Sequence, residues 1–365
     1  MVLFSKYDFS EGIMNLKEIA QTMGVSQSTV SLVLHDKAGI GEETKRRVRE
    51  MLEKNGYEVK RSTVVAASKH PRIMFIKYKR TSIMVDGNPE YTAHLMDEVS
   101  RCCSQSGYEL VFQIATVDTL PDAFQKANDE PFVGIILLGT EFTDEDRPLL
   151  NNVKKPIVII DNDLVKLPIT SVCTHTWNSM RRKVEYLLRK GHTRIGYLRN
   201  TQETSICYQC FLGFMTAMAE HKLQVRDEDI FRVDPSFEGA YESMKKLLRK
   251  GISLPTALIS NTDCLSLGVM KALQEYGVRI PENVSIIGAD NISSCTLYSP
   301  KLTTCDVYAN DIGKWSVLLL KDQIENPDAP VVRLRVETKI VERESVGNFA
   351  DYVPFNEKNR KGTFI

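Results

Sequence analysis

Short apolar segments alternate with amphipathic helical segments from Pro71 to about residue 346 of this 365-residue chain. Eight of the apolar segments have the length of buried strands, in one series at 73–76, 108–115, 133–138 and 157–161 and in a second at 194–198, 230–233, 256–260 and 284–288. Strands that alternate with helices favour doubly wound parallel sheets. Two such series predict an α/β fold with two lobes.

Polar side chains stand at the predicted carboxyl ends of these strands, where ligands of doubly wound sheets bind. Asp161, Asp263 and Asp290 occupy such positions, and Tyr78 follows the first strand. No glycine-rich phosphate loop follows a strand, so no nucleotide cofactor is predicted. The sequence therefore predicts a polar small-molecule site, with strand-end capping as the alternative role for the aspartates.

Composition restricts where such a chain acts. Its 47 basic and 47 acidic residues balance, so net charge gives no indication of a nucleic-acid partner. The apolar runs are too short to span a membrane, and residues 1–13 lack the apolar core of a secretory signal. Eight irregularly spaced cysteines are typical of reduced thiols. We expect a cytoplasmic protein with no membrane partner, rather than an exported solute-binding protein.

Residues 14–56 predict three short helices. Asn15 can cap the first helix, and Glu18 is placed to reach back to that cap. Gly24 permits a tight turn, Ser26 can cap a second helix, and a third helix runs from about residue 42 to 55. The exposed face of the second helix carries hydroxyl and amide side chains that can bond to bases or phosphates: Gln27, Ser28 and Ser31.

Two short helices joined by a glycine turn and supported by a third are typical of a helix-turn-helix, although a helical bundle with another packing role has the same periodicity. A basic run at residues 60–80 distinguishes the two interpretations, because it contains seven cations and no acidic residue. A charge run is usually a solvated face. Here it directly follows the candidate helix-turn-helix and favours DNA binding.

The segment NLKEIAQTMGVSQSTVSLVLH at residues 15–35, with EETKRRVREMLEKNGY at 42–57, resembles the DNA-binding head of the LacI/GalR family. The resemblance implies that the second helix enters the major groove, where Gln27 and Ser28 read bases. The positions expected to contact phosphates or fix the helix are Ser26, Thr29, Ser31 and His35. We add Arg61, in the basic run, as a phosphate contact. Leu32 departs from the family pattern, since many members carry Arg or Lys there.

The segment STVVAASKHP at residues 62–71 stands where family members have a hinge helix. In the family, a leucine of this helix inserts into the minor groove and bends the DNA. This segment has no leucine, and the β-branched Val64 and Val65 lower helix propensity. We therefore expect less DNA bending than is usual in the family.

The resemblance continues through GHTRIGYL at 191–198, TALISNTDCLSLG at 256–268, PENVSIIGADN at 281–291 and PKLTT at 300–304. It implies a periplasmic-binding-protein-like fold, with lobes at about 71–174 plus 306–330 and 175–305 plus 331–346. It also implies an effector in the cleft between the lobes and side-by-side dimers. Asp161, Asp263 and Asp290 match positions that line or support the family's pocket, and Tyr78 is a further candidate.

Two departures argue against the usual sugar-binding mode. Cys210 stands three places before the Gly213-Phe214 pair, where the family has a pocket arginine. Thr174 and His175 replace the usual Asp-Asn pair. A thiol is a weak donor, whereas arginine offers five N–H groups.

Other chemistry has weaker support. Cys207 and Cys210 form the chain's one Cys-x-x-Cys, which allows redox or metal sensing, but a structural zinc site usually needs four ligands. No Gly-x-Ser-x-Gly nucleophile motif is present, and the histidines lack zinc-ligand spacing. We expect no catalytic residue, no metal and no cofactor. An enzyme and a plain solute-binding protein remain the alternative functions.

The predicted organisation is an N-terminal extension (1–13), an all-α helix-turn-helix domain (14–60), a hinge linker (61–70), a two-lobed effector-binding and dimerisation domain (71–346) and a C-terminal tail (347–365). The predicted function is that of a sequence-specific DNA-binding transcription regulator, acting as a repressor. It would bind a palindromic double-stranded DNA operator as a homodimer, under control of a sugar, nucleoside or related metabolite. Release and promotion of DNA binding by that effector are both compatible with the sequence.

Overall fold

A computed structural model of the chain describes residues 14–35, 40–57, 59, 70–164, 167–202 and 204–355. The chain divides into two compact units, Met1–Lys69 and His70–Ile365. The predictions for the extension at 1–13, for Arg61 and for the hinge segment at 61–69 lie outside the described residues.

The described residues of the first unit form three helices: α1 (Leu16–Met23), α2 (Gln27–Leu34) and α3 (Glu42–Lys54). The predicted capping box is confirmed, since Asn15 accepts from the Glu18 amide and Glu18 accepts from the Asn15 amide. Gly24 has a φ of 67°, a left-handed conformation that allows α2 to follow after a tight turn. The three helices bury a small common core: Ile19, Ala20, Val30, Val33, Val48 and Leu52.

The second unit begins with the elements of a first lobe. In chain order these are β1 (Arg72–Lys79), α4 (Ile83–Gly87), α5 (Pro89–Gln105), β2 (Glu109–Thr116), α6 (Leu120–Asp129), β3 (Phe132–Leu138), β4 (Ile157–Ile160) and β5 (Thr170–Thr174). The second lobe follows with α7 (Thr176–Arg189), β6 (Ile195–Asn200), α8 (Ser205–Glu220), β7 (Ile230–Val233), α9 (Phe237–Arg249), β8 (Ala257–Ile259), α10 (Asp263–Glu275) and β9 (Ser285–Ile287). The last regular elements are β10 (Thr304–Asp306), α11 (Ala309–Glu325), β11 (Arg333–Val336) and β12 (Lys339–Val341).

Two parallel sheets form the centres of the lobes, as predicted. The first has the order β11-β5-β4-β3-β1-β2, and the second has the order β7-β6-β8-β9. Helices cover both faces of each sheet, because the central strands are largely apolar and are buried on both sides. β10 and β12 form a separate antiparallel pair, which a bridge between Ile287 and Thr303 joins to the end of β9.

The assignment of residues 331–346 to the second lobe is wrong in part. β11 pairs in parallel with β5 and therefore completes the first-lobe sheet. Arg335 reinforces this position with an ion pair of 2.7 Å to Asp163. The crossing to the second lobe occurs only after β11, where β12 joins β10.

The chain passes between the lobes near residues 174–176, 306–309 and 336–339. Residues 347–355 then lie against the second lobe, where the Val353 amide donates to the Glu282 carbonyl and Phe355 packs on Tyr276. Within the described residues, no helix combines the length and apolarity needed to cross a bilayer.

Candidate functional site

The start of α2 is the first candidate site. Ser26 caps the helix, since its Oγ accepts from the Thr29 amide at 3.0 Å. The same Oγ lies 2.7 Å from Ser28 Oγ and 2.8 Å from Thr29 Oγ1, so three hydroxyls form one cluster at the helix N-terminus. A helix N-terminus with hydroxyl groups is well suited to contact phosphate oxygens.

The two predicted base-reading residues project from this helix. Gln27 and Ser28 are exposed, whereas Val30 and Val33 on the opposite face are buried in the core. Thr29 and Ser31 are half-buried, and the exposed His35 places Nδ1 2.8 Å from the Ser31 carbonyl. α2 itself carries no charged side chain, so its contacts to DNA depend on amide and hydroxyl groups.

A cavity between the two lobes of the second unit is the second candidate site. It is partly open to solvent and is lined by residues from both lobes. Its polar residues follow the ends of strands in both sheets: Thr140 after β3, Asp161 after β4, Asn261 and Thr262 after β8, and Asp290 after β9. The cavity therefore lies at the carboxyl edges of both sheets, where the sequence places a ligand.

Asp161 and Asp290 are held in backbone conformations that side chains other than glycine rarely adopt. Asp161 has a φ of 59° and Asp290 a φ of 110°. Such strain is typical of functional sites, because packing must support it. Asp161 accepts from the Tyr91 hydroxyl at 3.0 Å and from Thr140 at 2.6 Å.

The pKa of both aspartates is raised. Burial raises the pKa of Asp161 to about 6, and its two hydroxyl donors only partly oppose this effect. Burial, with the neighbouring carboxylate of Asp263, raises the pKa of Asp290 well above its usual value. Strongly perturbed carboxyl groups in a cleft are typical of binding sites.

Asp263 and Tyr78 lie outside the cavity wall. Asp263 is fully buried and accepts from Thr304 Oγ1 at 2.6 Å and from the Ile292 amide at 3.2 Å, so it supports the loop after Asp290. The structure does not bring Tyr78 to the cleft. Its ring is fully buried in the first lobe and packs on Phe142, because this position of β1 faces the sheet's α6 side.

Cys210 lines the cavity from α8, and its burial raises the pKa of the thiol. The thiol therefore stays neutral and cannot replace an arginine as a charged donor. The neighbouring Cys207 Sγ lies 3.1 Å from Asn200 Nδ2. All eight cysteines are free and at least partly buried, an environment that disfavours reactive thiolates and weakens the redox interpretation.

Most residues of the cavity escaped the sequence predictions, among them Lys183 and Asn88. Lys183 of α7 is fully buried and lines the cavity. It stood in the sequence as a cation within an apolar helical stripe with Met180, Val184 and Leu187, and that mismatch was the available signal. Asn88 gave no such signal, because only the fold brings its amide within 2.7 Å of Asp290 Oδ2 across the cleft.

Further contacts connect the lobes beside the cavity. Glu90 accepts from the Ser293 amide and, at 3.0 Å, from Ser294 Oγ. Gln209 of the second lobe donates to Asp163 of the first at 3.0 Å. These contacts hold the lobes together on both sides of the cavity.

Both units match known protein families. The profile described as "Bacterial regulatory proteins, lacI family" matches residues 15–59, and the profile "Periplasmic binding protein-like domain" matches residues 184–346. The chain is 29% identical over 348 residues to the HTH-type transcriptional repressor PurR of Glaesserella parasuis, covering 91% of this chain and 98% of that protein. It is 28% identical over 347 residues to PurR of Klebsiella pneumoniae, with 92% and 98% covered.

Solved structures share the fold. The lac repressor dimer bound to operator and the anti-inducer ONPF aligns with a TM-score of 0.68 at 20% identity, over 92% of this chain and 99% of that one. A complex of the transcriptional regulator CelR with cellobiose aligns with a TM-score of 0.67 at 20% identity, over 91% and 99%. With its helix-turn-helix head and two-lobed domain, this chain belongs to the LacI family and is a DNA-binding transcription regulator.

Proposed function

We propose that this protein is a homodimeric repressor that binds a palindromic operator through α2 and a small polar effector in the cleft between its lobes. The cleft carries this proposal, because strained aspartates with raised pKa values face a cavity that both lobes line. We assign the cleft to binding rather than catalysis, and the protein to the cytoplasm, where its DNA partner would lie.

The side chains of α2 support direct reading of bases. A glutamine can form two hydrogen bonds with adenine in the major groove, and a serine can bond to several base edges. Gln27 and Ser28 are exposed side by side at the helix N-terminus, with Ser26 positioned against the backbone beside them. Because α2 carries no charged residue, the electrostatic attraction to DNA must come from basic residues elsewhere, including Arg46 and Arg47 of α3.

The contacts across the cleft support control by an effector. Asp290 of the second lobe accepts a hydrogen bond from Asn88 of the first. A ligand that donates to this carboxyl group in place of Asn88 therefore changes a contact between the lobes. A ligand shifts the balance of two arrangements only if it binds them unequally. Coupling of this kind is typically about 1–3 kcal/mol, or roughly 5–150-fold in affinity.

Exposed apolar side chains on the first lobe support dimerisation. Phe112 and Ile114 project from the edge strand β2 with 47% and 59% of their surface exposed. Trp315 and Leu318 of α11 are also exposed, at 39% and 40%. Large exposed apolar groups on an unpaired edge favour association with a second subunit.

Selection of genomic fragments by the purified protein, followed by fluorescence anisotropy, tests the DNA-binding part. We expect a palindromic site bound by a dimer, with log affinity falling by about 0.9 per phosphate contact for each unit of log salt. The double variant Gln27→Ala/Ser28→Ala should bind the selected site at least tenfold more weakly. Salt-independent binding, or no enriched palindrome, would contradict the proposal.

A thermal-shift screen of sugars, nucleosides and purines tests the effector part, because a ligand of the folded state raises Tm by mass action. A compound that raises Tm should also change operator affinity, and it should be recovered unchanged after incubation with the protein. Turnover of that compound would favour the enzyme alternative.

A further inference from the structure

The cleft contains a cation at a position that the family resemblance does not indicate. Lys183 has no exposed surface, and its Nζ donates to the Ser260 carbonyl at 2.8 Å. Ser260 follows β8 and precedes Asn261, so the ammonium group lies at the carboxyl edge of the second sheet. The same wall of the cavity includes Cys210. Burial raises the pKa of the Cys210 thiol, and the positive charge of Lys183 opposes this effect.

The hydrogen-bonding capacity of Lys183 is only partly used. An ammonium group has three N–H donors. Among the described residues, the Ser260 carbonyl is the one acceptor that Nζ bonds to, and none of their carboxylates lies within the 4.0 Å of an ion pair. Burial of an unpaired charge is costly, and the carboxylates of Asp263 and Asp290 interact with this ammonium only from beyond ion-pair distance.

A second polar group beside Lys183 also lacks a partner. Asn261 Oδ1 is buried and makes no hydrogen bond with any of the described residues. Asn261 lines the cavity together with Lys183. Buried polar groups are nearly always satisfied in proteins, so a donor and an acceptor left open in one cavity wall indicate that a ligand completes both.

We infer that Lys183 binds an anionic oxygen group of the effector, a carboxylate or phosphate, and thereby replaces the arginine that the family carries at the position of Cys210. Asp161 and Asp290 then accept hydrogen bonds from hydroxyl or amine groups at the other end of the ligand, and Asn261 accepts from one beside the anion. This inference rests on the proposed function, since it assigns the chemistry of the same cleft.

Charge favours an anion over a neutral acceptor at this position. An ion pair in a site closed to water is much stronger than one at the surface, and a charge-assisted hydrogen bond is roughly twice as strong as a neutral one. Asp161 and Asp290 attract the other end of such a ligand when its hydroxyl or amine groups face their carboxyl groups. The expected ligand is therefore polar at both ends, with its anion toward α7.

Matched pairs of compounds test the inference in the full-length protein. We would measure Tm shifts and calorimetric affinities for d-glucose against d-gluconate, d-galactose against d-galacturonate, and adenosine against adenosine monophosphate. At least one anionic member should bind at least tenfold more tightly than its neutral partner. Lys183→Gln, which keeps a donor for Ser260 but not the charge, and Lys183→Met should both remove this preference.

Arg182→Met is the matched control. Arg182 is the next cation on α7, but it is exposed and pairs with Glu337, so its loss should leave the preference for the anion unchanged. Operator binding of ligand-free Arg182→Met should also equal that of the wild type.

Three results would overturn the inference: no pair in which the anionic member binds more tightly than its neutral partner, a Lys183 variant that keeps the preference, or no anionic member that binds the wild type. Operator binding in the same preparations separates this failure from a failure of the proposed function. If palindrome binding persists, only the assignment of Lys183 is wrong.

Discussion

A single buried carboxylate organises the loop that forms one wall of the cleft. Glu141 is 2% exposed, and it accepts hydrogen bonds from five backbone amides: Arg80, Thr81, Ser82, Met84 and Val85. Converging amides neutralise a buried negative charge without a cation. Because Met84 and Val85 line the cavity and Asn88 follows them, Glu141 positions the first-lobe side of the site.

We expect Glu141→Gln to destabilise the two-lobed unit. A glutamine has one acceptor oxygen, and its amide group would face backbone N–H donors that it cannot accept from. Leaving such buried donors unpaired costs about 1–3 kcal/mol in the free energy of unfolding. Urea denaturation measures this loss, and Glu145→Gln is the control, since the Glu145 side chain is 79% exposed. Equal stability of the two variants would show that the five bonds contribute little.

Asp161 should make stability depend on pH in an unusual direction. Because burial raises the pKa of Asp161 to about 6, the folded chain binds a proton at a pH where the unfolded chain has released it. Its contribution therefore becomes more favourable as pH falls from 7 to 5. Relative to Asp161→Asn, the wild type should gain about 1 kcal/mol over that interval. Unfolding curves at both pH values check this, with the exposed Asp122→Asn as control. Parallel pH profiles would contradict it.

The positions of Asp161 and Asp290 beside the cavity could be predicted, because they follow from strand order alone. Asp161 and Asp290 come directly after apolar strands, and parallel strands end at one edge. Lys183 was visible as a misfit in an apolar stripe, whereas Glu141 and Asn88 were not, since their partners are distant in the chain. Tyr78 was misplaced because successive residues of a strand point to opposite faces of the sheet. The sequence pattern near the end of β1 does not show which face the Tyr78 side chain is on.

At the level of elements, α2 combines a neutral surface with a capped N-terminus. Base reading therefore depends on a few side chains, whereas phosphate attraction depends on residues elsewhere. Strands β1–β4 and β6–β9 were predicted, but β5, β10, β11 and β12 were not. β10, β11 and β12 each include a charged residue and β5 is rich in Thr and Ser, so none of the four has a clear apolar pattern.

Changes on α2 and in the basic run should have different effects on DNA binding. Gln27→Ala should cost about 1–3 kcal/mol on the selected operator and relax the preference at one base pair. Arg61→Ala should weaken all sequences alike and reduce the salt slope by about 1. Anisotropy titrations on the operator and on single-substituted sites separate these effects. A uniform loss from Gln27→Ala would show that it contacts phosphate instead.

At the scale of the whole molecule, few polar contacts join the lobes beside the cavity. Glu90 bonds to Ser293 and Ser294, and Asn88 bonds to Asp290, while Tyr91 of the first lobe packs with the apolar core of the second. A net stability of about 0.5–1.5 kcal/mol per bond means that the loss of one changes the ratio of open to closed forms by roughly 2–12-fold.

We expect Glu90→Gln to open the cleft more often. Hydrogen exchange should become several-fold faster at the amides of residues 290–294, while exchange in the strands of both sheets stays unchanged. Glu98→Gln is the control, because Glu98 lies on the same helix and pairs with Arg101 within the first lobe. Unchanged exchange at residues 290–294 would show that other contacts hold the lobes together.

The discontinuous first lobe also determines the order in which the newly made chain can fold. The strands of the second sheet occupy one unbroken stretch, so a ribosome has delivered all of them by residue 287. The first sheet is complete only when β11 has been synthesised, and its outer helix α11 is synthesised shortly before β11. A nascent chain therefore carries its complete DNA-binding head long before it has the exposed face of α11. A polypeptide that ends before Ala309 keeps the head but lacks an essential part of the lobe that would pair it with a second subunit.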